Sequence, residues 1–207
     1  MIIIGLTGSI GMGKSTAAGV FRDHGVAVFD ADAGVHRLYE GPAVAAIEAA
    51  IPGVTRDGKV DRVRLSARLG NEPGLFARLE AIVHPLVQAE EQAFIEGEMR
   101  RRARFAVLEI PLLFETGAEE RVDVIVVVSA PEDVQCARVL EREGMTRDKF
   151  EMIRARQMPD VKKRERADFV VDTSGPLEQS AGEIAKILES LEGRVGEAYD
   201  RYWSPAG

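Results

Sequence analysis

The sequence predicts an α/β fold, one five-stranded parallel sheet with helices on both faces, from three observations. Short apolar runs recur at 2–6, 26–29, 105–110, 124–128 and 168–172, most of them rich in Ile, Val or Phe. Helical composition fills the gaps between them, and strands joined by crossovers rather than hairpins lie parallel. The first run passes directly into a glycine loop and a helix-compatible stretch, the order in which such a sheet presents a phosphate-binding loop.

A chain of 207 residues can bury one sizeable core and a smaller insertion. Its 34 acidic against 27 basic residues leave a net charge of −7, which argues against a broad nucleic-acid-binding face. The single cysteine, Cys136, excludes an internal disulfide, and no Cys/His group has zinc-ligand spacing. No apolar run approaches the roughly 20 residues that span a bilayer, and no signal peptide precedes the first strand. The expectation is a cytoplasmic protein without membrane or nucleic-acid partners, a monomer or weak oligomer.

Ile2, Ile3, Ile4 and Leu6 read as a buried strand. The loop that follows, Gly8-Ser9-Ile10-Gly11-Met12-Gly13-Lys14-Ser15, fits G-x-x-x-x-G-K-[ST] without a gap. A triphosphate lies directly against main-chain N–H groups, so Gly8, Gly11 and Gly13 remove side chains where the backbone must curl and approach it. The next helix points its positive end at the same anion. Lys14 supplies a mobile charge for the outer phosphates, and Ser15 offers a hydroxyl to Mg²⁺. The predicted nucleotide-binding set is Gly8, Gly11, Met12, Gly13, Lys14, Ser15 and Thr16.

The helix is predicted over 15–24, with Ala17, Ala18, Val20 and Phe21 on the sheet and Gly25 as its stop. The second strand then ends in Asp30-Ala31-Asp32, and the carboxyl ends of strands face the ligand crevice in open parallel sheets. Residues 33–104 are mostly helical in composition, with breaks at Gly41-Pro42, Pro52-Gly53, Asp57-Gly58 and Pro73-Gly74. That is too long for one crossover helix and reads as a helical insertion for a second substrate. The third strand ends near Glu109 and leads to Pro111 and Leu112. The fourth leads to a helix carrying Arg138 and Arg142. Nine lysines and arginines crowd residues 142–166, as a solvated helical face or as a phosphate-facing lid. The fifth strand precedes an amphipathic helix over 177–191, and 192–207 reads as a mobile tail.

For phosphoryl transfer to an alcohol, a carboxylate near the nucleophile can accept its proton while cations offset charge on the transferred group. Asp32 and Asp30 suit that work, and helix capping is the alternative for both. His36 follows Asp32 by four residues, so a helix there puts both on one face. His84, before Pro85, is a ligand contact or a buried hydrogen-bonded histidine.

Taken in order, Gly5–Thr16, Asp30 and Asp32 with His36, Ile82–Pro85, Pro111–Glu115, Gln157–Pro159 and Ala167-Asp168 resemble the motifs of the dephospho-coenzyme A kinase family. The resemblance covers residues 1 to about 190. It implies a P-loop kinase-like three-layer fold with a core of 1–32, 105–141 and 167–191, a helical CoA-substrate domain at 33–104 and a lid at 142–166. It also implies ATP with Mg²⁺ and phosphorylation of the ribose 3′-hydroxyl of dephospho-CoA, the last step of coenzyme A synthesis. By position, Asp32 matches the family's proposed base, and Lys14, Arg138 and Arg142 its phosphate-facing cations. Asp30, Asp32, His36, His84, Pro111 and Leu112 fall on the acceptor side.

Three positions depart from the family pattern. Ser9 replaces a frequent glycine and requires φ below zero there. Ile153 stands where an arginine is common, with Arg154 and Arg156 nearby. Asp172 replaces a frequent asparagine. The rival readings are a nucleoside monophosphate kinase, which lacks the combined Asp32-His36 and His84-Pro85 signatures, and a regulatory GTPase. The GTPase needs an Asn-Lys-x-Asp segment that Ser129–Glu132 does not supply.

Overall fold

The structure, a computed structural model, describes residues 1–204. In chain order its elements are β1 (Ile2–Thr7), α1 (Lys14–Asp23), β2 (Ala27–Asp30), α2 (Ala31–Tyr39), α3 (Val44–Ala50), β3 (Thr55–Arg56), β4 (Lys59–Val60), α4 (Arg62–Asn71), α5 (Leu75–Arg100), β5 (Phe105–Glu109), β6 (Val124–Ser129), α6 (Glu132–Leu140), α7 (Arg147–Arg154), α8 (Asp160–Glu165), β7 (Phe169–Asp172) and α9 (Leu177–Ser190).

The five long strands form one sheet in the order β2-β5-β1-β6-β7. β1 lies in its middle, parallel to β5 with Ile2 opposite Phe105 and to β6 with Ile4 opposite Val124. β7 extends the sheet parallel to β6. Every residue of β1 is buried, which is why its apolar run does not alternate. Ala17, Ala18, Val20 and Phe21 of α1 and Ile184, Ile187 and Leu191 at α9 join Ile2, Ile4, Leu6, Val107, Val126 and Val171 in the core of the sheet.

The chain divides into two compact units. One comprises Met1–Phe29 and Ile95 onward, the other Asp30–Phe94. The insertion read at 33–104 thus corresponds to a unit that begins at Asp30 and ends within α5. Its own core gathers Leu38, Ile47, Ile51, Val54, Leu65, Leu79 and Val83. It is not wholly helical: β3 and β4 pair antiparallel around Asp57-Gly58. Both turn residues have positive φ, 51° and 75°, which suits an Asp-Gly hairpin turn. Pro85 lies inside α5, where it removes one N–H from the helix ladder.

The segment after α9 differs from the expected mobile tail. The Asp123 carboxylate accepts the N–H groups of Ile3 (2.8 Å), Glu197 (2.6 Å) and Ala198 (2.7 Å). A π-helical turn, Tyr199–Trp203, then seats Trp203 at 2% exposure, with its indole N–H donating to the Arg121 carbonyl at 2.8 Å. These anchors lie far away in the chain, so composition alone gives no sign of them. Pro205–Gly207 lie outside the described residues.

Candidate functional site

β1 delivers the glycine loop at its carboxyl end, and α1 begins at Lys14 immediately behind it. Gly11 and Gly13 have φ of 77° and 79°, a left-handed backbone that glycine adopts without a Cβ clash. At Gly8 the reason is contact: a Cβ there would lie 2.5 Å from Val128 Cγ2. Ser9 is not among the positive-φ residues, so serine is accommodated where the family often has glycine. The loop closes through the Met12 N–H donating to the Ser9 carbonyl at 3.1 Å. The Met12 side chain faces inward, its sulfur accepting the Ala130 N–H at 3.1 Å, so only its main chain is left for an anion. Ser15 and Thr16 are exposed in the first turn of α1.

Lys14 Nζ lies 2.8 Å from Glu109 Oε1, and the Glu109 side chain is 3% exposed. The end of β5 therefore holds the lysine ammonium beside the loop. Thr173, just after β7, shares its single hydroxyl proton between the Met12 carbonyl (2.9 Å) and the Ser129 carbonyl (3.2 Å). Arg138 of α6 in turn donates to the Thr173 carbonyl at 2.6 Å. The structure thus brings Arg138 together with the loop through Thr173, while Arg142 is exposed on the turn after α6. Nearby, the Ser174 hydroxyl and N–H hold the Asp172 carboxylate below its ordinary pKa, aided by Arg164 and Arg138. Pro111 lies just beyond the end of β5, its carbonyl accepting the hydroxyl of Thr7, the last residue of β1, at 3.3 Å; the neighbouring Leu112 is exposed.

Residues 142–166 are not one uniform charged face. Lys163 of α8 is fully buried and pairs with Glu115 at 2.9 Å. Glu115 also accepts the Met158 N–H at 2.7 Å. Burial pushes the Glu115 carboxyl up, but these donors outweigh it and its pKa lies below the ordinary value. The Ser129 hydroxyl donates to Asp160 at 2.7 Å, and Arg166 pairs with Glu119. Of the two lid arginine candidates, Arg154 pairs with Glu132 and Glu151, whereas Arg156 is exposed. Sequence reasoning missed Thr173 and the Glu115–Lys163 pair, and it missed Gln135 of α6, whose amide donates to the Ile10 carbonyl of the loop at 2.7 Å; a lysine inside a cationic run carries no sign of burial.

The remaining candidates lie in the second unit. Asp30 is the N-cap of α2, accepting the Ala33 N–H at 2.9 Å. Asp32 lies exposed in the first turn of the same helix. His36, one turn on, meets Arg62, whose guanidinium lies 2.8 Å from Nε2. His84 is exposed on α5 rather than buried.

The profile of the dephospho-CoA kinase family matches residues 2–179. A dephospho-CoA kinase of Rhodopseudomonas palustris is 54% identical over 190 residues, covering 92% of this chain and 96% of that protein. A solved structure from Thermus thermophilus has 36% identity and a TM-score of 0.81, covering 93% of this chain and 98% of that one. The dephospho-CoA kinase structure from Campylobacter jejuni shares the fold at a TM-score of 0.69 and 23% identity, covering 91% and 96%. With an uninterrupted phosphate loop on the central strand and a match of this extent on both sides of the insertion, the chain belongs to the dephospho-CoA kinase family.

Proposed function

We propose that the chain transfers the γ-phosphoryl group of ATP to the ribose 3′-hydroxyl of dephospho-CoA, giving coenzyme A and ADP. The observation that carries this reading is the complete phosphate loop, with Lys14 held ready by Glu109, in a chain of this family. The main-chain N–H groups of residues 11–16 and the N-terminus of α1 bind the phosphates. Lys14 moves from Glu109 onto the outer phosphates as they arrive. Arg138, already beside the loop, adds charge where it builds up on the transferred group. Asp32, free of the capping duty that occupies Asp30, orients the acceptor hydroxyl and takes its proton as the bond from O3′ to phosphorus forms and the bond to the β-phosphate oxygen breaks. The Asp30–Phe94 unit supplies the acceptor-side residues His36 and His84.

Among the described residues no group of three or more His, Cys, Asp or Glu forms a metal cage. Mg²⁺ is commonly bound by few protein groups and shared with nucleotide phosphates. The exposed Ser15 hydroxyl is the protein group that would hold it. Held there, Mg²⁺ would offset charge on the nucleotide phosphates.

Release of ADP, measured with dephospho-CoA, with nucleoside monophosphates and with no acceptor, tests the assignment. Turnover is expected to depend on dephospho-CoA. Equal or faster turnover with a nucleoside monophosphate rejects it.

A further inference from the structure

The crest of the phosphate loop is held from outside by two glutamines. The Ile10 N–H donates to Gln157 Oε1 at 3.0 Å, and Gln135 Nε2 donates to the Ile10 carbonyl at 2.7 Å. Gln135 is buried in α6. Gln157 lies between α7 and α8, next to Met158, whose N–H is fixed by Glu115. A backbone N–H can only donate and a carbonyl can only accept, so the roles of the two amides are set: Gln157 accepts and Gln135 donates.

Each bond orients a whole peptide, because the peptide is planar and trans. With the Ile10 N–H aimed at Gln157, the Ser9 carbonyl must point the opposite way. There it accepts the Met12 N–H that closes the loop. With the Ile10 carbonyl aimed at Gln135, the Gly11 N–H is turned away from α6. Gly11 faces the same helix, where a Cβ would lie 3.0 Å from the Gln135 carbonyl, so the absence of a side chain there lets the loop approach α6 closely.

We propose that Gln157 is a positioning residue for nucleotide phosphates. It does not touch them; it holds the Ser9–Ile10 peptide in the orientation that the loop needs, and it ties the loop to the α7–α8 connection. Gln135 is its counterpart of opposite polarity. The proposal rests on the loop binding nucleotide and not on the identity of the acceptor.

The test uses the full chain and three variants. Gln157→Ala removes the acceptor, Gln157→Glu keeps it, and Gln135→Glu replaces a donor with a group that repels the Ile10 carbonyl. ATP affinity is measured by calorimetry without acceptor, and exchange of the Ile10 amide by NMR. Gln157→Ala is expected to weaken ATP binding about tenfold, as for an unmade bond to a partly buried N–H, and to speed Ile10 exchange. Gln157→Glu keeps the acceptor and is expected to restore slow Ile10 exchange, while its added charge opposes the phosphates. Gln135→Glu is expected to weaken ATP binding. The KM for dephospho-CoA should change little in Gln157→Ala, which separates positioning from general loss of structure. Parent-like ATP affinity in Gln157→Ala, or equally fast Ile10 exchange in its Ala and Glu variants, overturns the proposal. If the parent binds ATP but does not phosphorylate dephospho-CoA, the functional assignment fails while these binding measurements still decide the role of Gln157.

Discussion

Asp30 and Asp32 are two residues apart, and their surroundings separate them. Asp30 spends its carboxylate on the Ala33 N–H, whereas Asp32 is exposed. Asparagine caps a helix about as well as aspartate, so Asp30→Asn is expected to leave stability and turnover close to the parent. Asp32→Asn keeps size but loses the basic oxygen, and its kcat is expected to fall roughly 10²–10⁴-fold with little change in ATP affinity. Steady-state kinetics with saturating dephospho-CoA, together with calorimetry, checks both; an Asp32→Asn chain with most of its kcat is not missing a base. Which of the two caps α2 was only half legible in the sequence. Either aspartate could cap the helix, and which one does depends on where α2 begins, a boundary that composition does not resolve. The phosphate loop was legible throughout, because each glycine answers a local demand of backbone angle or contact.

Among the elements, α7 and α8 divide what reads in the sequence as one charged segment. α8 is fastened by the buried Lys163, by Asp160 and by the Met158 N–H beside it, while α7 buries one large side chain, Phe150. Hydrogen exchange is therefore expected to slow in 147–154 when ATP and dephospho-CoA bind, and to be slow in 160–165 with or without them. Faster exchange in α8 than in α7 would contradict this. The fastening also has a pH signature. A carboxyl held below its ordinary value in the folded chain adds stability above the unfolded pKa, about 4.3 for glutamate, and loses it as pH falls through the lower folded value. The melting temperature of the parent should thus drop more steeply across that acid interval than that of Glu115→Gln, which starts lower at neutral pH. Superimposable slopes would remove Glu115 from the account. None of this was visible in sequence, where Lys162, Lys163 and Arg164 look equivalent; only the fold decides that the middle one faces Glu115. The Asp57-Gly58 hairpin, by contrast, was a legible turn read merely as a helix break.

For the whole molecule, the segment following α9 is part of the fold. Trp203→Ala is expected to cost about 3–5 kcal/mol, the range for deleting a buried tryptophan, as measured by urea denaturation. A cost within about 0.5 kcal/mol, typical of a surface site, would return this segment to the status of a loose end. Its order was hidden from sequence because Asp123 and Arg121, which secure it, belong to the loop before β6.

The strand order carries one more consequence. β1 is the middle strand, yet it is made before both of its neighbours, which begin at Phe105 and Val124. At synthesis rates of about 5–20 residues per second, Ile2–Ile4 leave the ribosome roughly 5–20 s before either neighbour emerges. During that interval the Asp30–Phe94 unit can close its own contacts, since they lie within the emerged chain, while β1 presents an unpaired apolar edge of the kind that chaperones shield. The phosphate loop is therefore expected to be synthesised well before the strands that flank it and to acquire its working shape only after them.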